Sequence, residues 1–244
     1  MNDLSGKVAL VTGASRGIGA AVARMLAERG AAVAINYRSK GPRAEEVARA
    51  VRAEGRRALL AQADLTSETE VAAMMRNVEA EFARLDLLVL NASGGMEKGK
   101  DAGYAMELNF TAQVRLLDLG LPLLPAGGRV VFVTSHLAHF YGRTPVYPVY
   151  ESVAASKHAG EQALRARIPD LAARGVRLVV VSGDLIAGTI TPRLMDRSSP
   201  GLIASRREQA GTLPTVEDFA RAIVDAASEP ALESGATLFV GSTD

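Results

Sequence analysis

The chain has 244 residues, no cysteine, and 28 lysines and arginines against 27 aspartates and glutamates, a net charge of +1. Its length and 48% hydrophobic content suit one sizeable core, a single domain over 1–244. The balanced charge leaves no footprint for nucleic acid or a membrane surface, and the missing thiols exclude disulfides, thiolate catalysis and cysteine-held metals. The polar start, 1–7, lacks the apolar core of a secretory signal, and no apolar run approaches the roughly 18–20 residues of a membrane span. A soluble, cytoplasmic protein with a small-molecule partner is expected.

Residues 7–19 (KVALVTGASRGIG) read as strand, tight turn and helix start. Gly13 allows unusual dihedrals, Gly17 leaves room for a phosphate against the backbone, and Gly19 lets the new helix pack closely on its strand. The helix N-terminus offers unpaired N–H groups and partial positive charge to a diphosphate. The stretch from Gly13 through Ser15 to Gly17 also fits the G-x-S-x-G elbow of hydrolases, but only chain order supports the acid and histidine such a triad needs.

Further along, 31–36 is a second strand and 43–53 a helix; 57–63 is a third strand ending at Asp64, and 68–84 carries a helical stripe of Val71, Met74, Met75, Val78 and Phe82. Residues 86–91 are apolar on both faces, the pattern of a buried parallel strand. A long helix is predicted over 102–124, a fifth strand over 129–134, a turn-rich stretch over 136–148, and a helix over 150–168 that Pro169 should break or kink. Strand six is 176–181, and 183–214 lacks firm periodicity, the profile of a substrate lid or loop. A last helix (216–227) and strand (237–240) close the chain. Strands alternating with helices imply a doubly wound parallel sheet, a Rossmann fold of about seven strands with helices on both faces. Gly13, Arg38, Asp64, Asn91, Ser135 and Gly183 each follow a predicted strand and so converge on one edge.

Sheets that bind dinucleotides without a 2′-phosphate usually carry an acid about 20 residues after the glycines. Here the second strand ends in Asn36, Tyr37 and Arg38. A guanidinium there, with Arg16 in the glycine turn, suits a 2′-phosphate and points to NADPH.

The chain resembles the short-chain dehydrogenase/reductase family. The likeness rests on Thr12 to Gly19 (TGASRGIG), Asp64 and Leu65, Asn91, Ala92, Ser93 and Gly94, Asn109 in the long helix, Ser135 ending strand five, and Lys157. It implies an NADPH-dependent oxidoreductase that assembles as a homo-oligomer. In it Gly13, Ser15, Arg16, Gly17, Ile18, Gly19, Arg38, Asp64, Leu65, Asn91, Ala92, Ser93 and Gly183 bind the cofactor; Asp64 lies by the adenine, and Thr189 touches the carboxamide. Lys157 grips the nicotinamide ribose, and Asn109 holds a water that links Lys157 to solvent.

One departure governs the chemistry. The family's Tyr-x-x-x-Lys would place the proton donor at position 153, which is Val153, while Tyr150 stands seven residues before Lys157. On a helix that is about 10.5 Å along the axis instead of about 6 Å, still on the lysine's face. The longer spacing resembles NADPH-dependent enoyl-acyl-carrier-protein reductases, and it implies hydride transfer to an α,β-unsaturated carbonyl or thioester, small or carried on an acyl carrier. Tyr150 is then the donor, with a nearby Lys157 ammonium favouring its phenolate and Ser135 sharing the substrate oxygen. A ketone or aldehyde reductase with Tyr141 or Tyr147 as donor is the alternative, and a catalytically inactive NADPH-binding sensor is a third reading. The segment between Ser135 and Lys157 is longer than usual for the family, and the stretch from Asn91 to Asn109 is shorter. Ser182, Gly183 and Asp184 stand where a Pro-Gly pair is common in the family, and the C-terminal Val240 to Asp244 also departs from its pattern, the latter weakening transfer of the family's tetramer. His136 and His139 lack a third metal ligand at a familiar spacing and read as substrate-loop or capping residues.

Overall fold

A computed structural model describes residues 3–97, 99 and 103–243. Its centre is a parallel sheet of seven strands in the order β3-β2-β1-β4-β5-β6-β7: β1 (Val8–Val11), β2 (Ala32–Tyr37), β3 (Ala58–Gln62), β4 (Leu87–Leu90), β5 (Arg129–Ser135), β6 (Arg177–Gly183) and β7 (Thr237–Val240). Every pairing is parallel. The strands are short apolar runs because both faces are covered, and the period of two divides their side chains between the layers.

On one face Val11, Ile35, Val89, Val131 and Val181 pack under α1 (Gly17–Glu28), α2 (Gly41–Ala53) and α11 (Val216–Ser228). On the other, Leu10, Leu88, Phe132 and Val180 pack against α3 (Glu68–Phe82), α5 (Ala112–Gly120) and α7 (Glu151–Ala166). Burying one such side chain is worth about 1.5–3 kcal/mol, so a strand apolar on both sides is stable only between two helix layers. Local signals fix the ends: Ser67 caps α3 by accepting from the Glu70 N–H, and Thr215 with Asp218 forms a capping box on α11.

Two expectations need correction. The helix predicted over 102–124 is not uniform: its first residue lies outside the described residues, and the rest runs as α4 (Tyr104–Met106), a π-helical turn (Glu107–Thr111), α5 and a 3-10 turn (Leu121–Leu123). Gly160 of α7 presses directly on the carbonyl of Asn109, and this close helix crossing coincides with the widened turn. Pro169 marks a break, as expected: α7 ends at Ala166, and Pro169 sits in the first turn of a new helix, α8 (Ile168–Ala173), where its missing N–H has no partner to lose. The 183–214 segment is not a bare loop. It folds into α9 (Ile190–Ser198) and α10 (Leu202–Ala210), whose Met195 and Leu202 bury with Leu185 and Leu213 against Tyr150, Val153 and Ala154. The 136–148 stretch likewise opens with a short helix, α6 (His136–His139), capped by Ser135. Among the described residues no helix is long and apolar enough to cross a membrane.

Candidate active site

The strand order reverses between β1 and β4, and the carboxyl ends of both strands open into a cavity of about 1160 Å3. Thr12 joins the two ends. Its Oγ1 accepts from the N–H groups of Asn91 (2.9 Å) and Ala92 (3.0 Å), and Asn91 Nδ2 donates to its carbonyl (2.8 Å). Gly13 has φ +64° and donates its N–H to buried Asn36 Oδ1 (3.1 Å). At Gly19 a Cβ would stand 2.6 Å from the Gly13 carbonyl and 2.7 Å from Asn91 Nδ2, so only glycine fits; over Gly17 the space is open. The first turn of α1 has no side-chain cap and no acidic residue, leaving its N–H groups and partial charge to a ligand. A turn that a side chain would block and an uncapped helix start fit a dinucleotide's diphosphate.

Gly13, Ser15, Arg16, Gly17, Ile18, Gly19, Arg38, Asp64, Leu65, Asn91, Ala92, Ser93, Gly183 and Thr189 all lie on the wall of this cavity. Arg38, its side chain 45% exposed, donates to the hydroxyl of Tyr104 (2.7 Å) and lies 3.9 Å from Asp64. Sequence reasoning missed Tyr104, whose phenol is held above its ordinary pKa by burial. Asp64 turns one oxygen back to Thr66, accepting from its N–H (3.0 Å) and hydroxyl (2.8 Å), and so shapes the start of the loop after β3.

At the other end Ser135, Tyr150 and Lys157 share the wall with Tyr147. Tyr150 precedes α7 and does not belong to its helical body. It ends a 3-10 turn (Pro148–Tyr150) and stands at the N-cap position of α7, so its hydroxyl comes to 3.2 Å from Ser135 Oγ. Ser135 Oγ accepts from the Ala138 N–H (3.3 Å), which fixes the oxygen and leaves its hydrogen to donate. Burial pushes the Tyr150 phenol up, opposed by the Ser135 hydrogen bond, so the net direction is the reverse of the lowering expected from a nearby ammonium. Lys157 is itself buried, and desolvation lowers it to about 8 against an opposing pull from Glu161.

Tyr141 is off the cavity wall and donates to Glu151 (2.6 Å), a bond that raises its pKa. Asn109 is also off the wall: its amide exchanges hydrogen bonds with Gly94 (N–H to Oδ1, 3.2 Å; Nδ2 to carbonyl, 2.8 Å) and donates to Ser156 (3.0 Å). Its side chain therefore pins the loop after β4, part of which lies outside the described residues. His136 Nδ1 meets Ser182 Oγ at 2.8 Å, and burial lowers its pKa; His139 Nδ1 meets Glu161 at 2.8 Å. Among the described residues no three His, Asp or Glu side chains group as metal ligands. Asp184, where the family pattern differs, makes a buried pair with Arg206 of α10 (2.9 Å).

A model of the short chain dehydrogenase family matches residues 7–197. The chain belongs to this family of oxidoreductases. Over 180 residues, 70% of the chain and 63% of the relative, it is 40% identical to hydroxynaphthalene reductase arp2 of Aspergillus fumigatus. The matched part thus spans less than two thirds of that relative's length. It is 34% identical to cis-4-hydroxycyclohexanecarboxylate dehydrogenase of Sinomonas cyclohexanicum over 92% of the chain and 90% of the relative. Among solved structures, a short chain dehydrogenase from Burkholderia cenocepacia in complex with NADP superposes with a TM-score of 0.85 at 31% identity, covering 98% of each chain.

Proposed function

We propose that this short-chain dehydrogenase is an NADPH-dependent carbonyl reductase that acts on a ketone carried by an apolar ring. The observation that carries the reading is the 3.2 Å approach of the Tyr150 hydroxyl to Ser135 Oγ on the cavity wall. Two hydroxyls so close can both address one carbonyl oxygen, where charge develops. The wall beside them is apolar, with Leu137, Phe140, Val146, Val153 and Leu194. Both relatives named above act, by their names, on hydroxylated rings.

The residues divide the work. The turn from Gly13 to Gly19 and the start of α1 hold the diphosphate; Arg16 and Arg38 pair with the 2′-phosphate in place of the missing acid. Asn91, Ala92 and Ser93 line the other side, Thr189 faces the carboxamide and Lys157 the ribose. The cofactor, when bound, supplies a hydride to the carbonyl carbon. Tyr150 gives its proton to the carbonyl oxygen, which its raised pKa keeps in place until the substrate needs it. Ser135 donates to the same oxygen, and Lys157, mostly an ammonium at neutral pH, stabilises the phenolate left behind.

Conjugate reduction is the second reading, favoured by the seven-residue Tyr150–Lys157 spacing. That spacing weighs less because Tyr150 lies in the 3-10 turn, where it reaches Ser135. A substrate panel separates the two. Purified protein should consume NADPH with cyclic ketones and not with enoyl thioesters; the reverse preference overturns the carbonyl reading, and turnover of neither removes both.

A further inference from the structure

Glu161 is a carboxylate buried in α7, one helical turn beyond Lys157, and the proposed chemistry does not use it. A charge is retained in such a place only when it is held, and two neighbours hold one of its oxygens in position. His139, on the short helix after Ser135, meets Oε1 at 2.8 Å, and Arg165, a turn further along α7, donates to the same oxygen at 2.8 Å. Arg165 is anchored in turn to the Gly235 carbonyl (2.7 Å) and Thr237 Oγ1 (2.6 Å) at the edge strand β7. Glu161 Oε2 is buried without a hydrogen-bond partner. Side chains four apart share a helix face, so the carboxylate stands on the Lys157 side of α7.

We infer that Glu161 is a positioning residue for Lys157: its fixed carboxylate keeps the buried amine in its ammonium form and so sets the alkaline boundary of activity. The inference rests on Lys157 acting with Tyr150 as proposed above. Other charges do not dilute the effect. Among the described residues Glu161 is the charged group that acts on Lys157; Tyr150, from the preceding turn, is a neutral phenol, and His139 and Arg165 are bonded to Glu161. Burial alone drives the amine towards neutrality, and Glu161 opposes it, leaving Lys157 at about 8.

The test reads Lys157 directly, by NMR titration of 13Cε-labelled lysine in the free protein, alongside the pH profile of kcat/KM. Glu161→Gln keeps the acceptor for His139 and Arg165 but removes the charge. Lys157 should then titrate about one unit or more lower, the scale of a lost opposite charge, and the alkaline limb of the profile should follow. Glu161→Asp, which keeps the charge, should restore most of the shift. Arg165→Gln removes a competing cation and should move the Lys157 titration upward, a second arm that does not depend on the folding of the first variant. An unmoved Lys157 titration in either charge-altering variant overturns the inference, as does a titration that moves while the rate profile stays fixed. The titration needs neither NADPH nor substrate, so an absence of turnover on every carbonyl would sink the parent reading without deciding this one.

Discussion

The two ends of the cavity are built from different material. At the end formed by Gly13 to Gly19 the backbone makes the site: a positive φ at Gly13, a bare Cα at Gly19 against the Gly13 carbonyl, and the open first turn of α1. At the Ser135 end side chains make it. Ser135 meets Tyr150 across 15 residues, His139 meets Glu161 across 22, and Asp184 meets Arg206 across another 22. A backbone site tolerates few sequences, because a single Cβ destroys it. A side-chain site can be rebuilt by moving a residue along the chain, and the proposed function has the phenol moved in this way: Val153 occupies the helical position and Tyr150 reaches Ser135 from the turn before it.

With the phenol in that place, the largest effect belongs to one hydroxyl. Tyr150→Phe should lower kcat about 10²–10⁴-fold, the range of a lost general acid, and leave the Kd for NADPH unchanged by fluorescence titration. Tyr147→Phe, on the same wall, should lower kcat far less. Tyr141→Phe should be silent, since that hydroxyl is spent on Glu151. If Tyr147→Phe rather than Tyr150→Phe abolished turnover, the donor would sit in the loop and the 3.2 Å pair would be structural.

The same contrast explains how much could be read from the sequence. Strands such as 8–11 and 87–90 announce themselves because every residue is apolar and buried, and their ends fall within a residue or two of the expected ones. The glycine turn was legible because its three glycines each answer a local need. Helix α10 was not: only Leu202 in it is buried, so no apolar stripe marks it, and it is held by Arg206 and by packing from Leu202 and Leu213. The π-turn around Asn109 lies against Gly160, more than 50 residues away, and no local pattern encodes that crossing. Tyr104 and Arg206 carry no signal of their own either. Glu161 did: Lys157, Glu161 and Arg165 recur every four residues on a predicted helix, a charge pattern that deserved a question.

A side-chain site should also fail one contact at a time, and the Asp184–Arg206 pair tests that. Arg206 donates to both Asp184 oxygens and to the Ser242 carbonyl, so it ties α10 to the end of β6 and to the segment after β7. Arg206→Met leaves Asp184, 6% exposed, as a buried charge without its bidentate partner, a loss approaching about 3 kcal/mol. That is more than a segment with one buried apolar side chain can absorb. Helix α10 should lose hydrogen-exchange protection and KM for the ketone should rise, while α1 and the NADPH Kd stay as they are. Loss of protection across the sheet as well would mean that the two ends of the cavity are one cooperative unit.

The smallest effect is expected at a side chain of the backbone-built end. Arg38 stands where an acid would select against a 2′-phosphate, and it is held ready by Tyr104 at 2.7 Å. Arg38→Ala should weaken NADPH by roughly 1.5–3 kcal/mol, the scale of a charge-assisted hydrogen bond, and barely touch NADH, because the diphosphate keeps its backbone cradle. The side chain is nearly half exposed, so salt should erode the difference and place the result nearer the lower figure. Tyr104→Phe removes only the group that orients Arg38 and should weaken NADPH by less again. Equal weakening of NADPH and NADH in Arg38→Ala would move the arginine's role from the 2′-phosphate to the fold, and the preference for the phosphorylated cofactor would then fall to Arg16 alone.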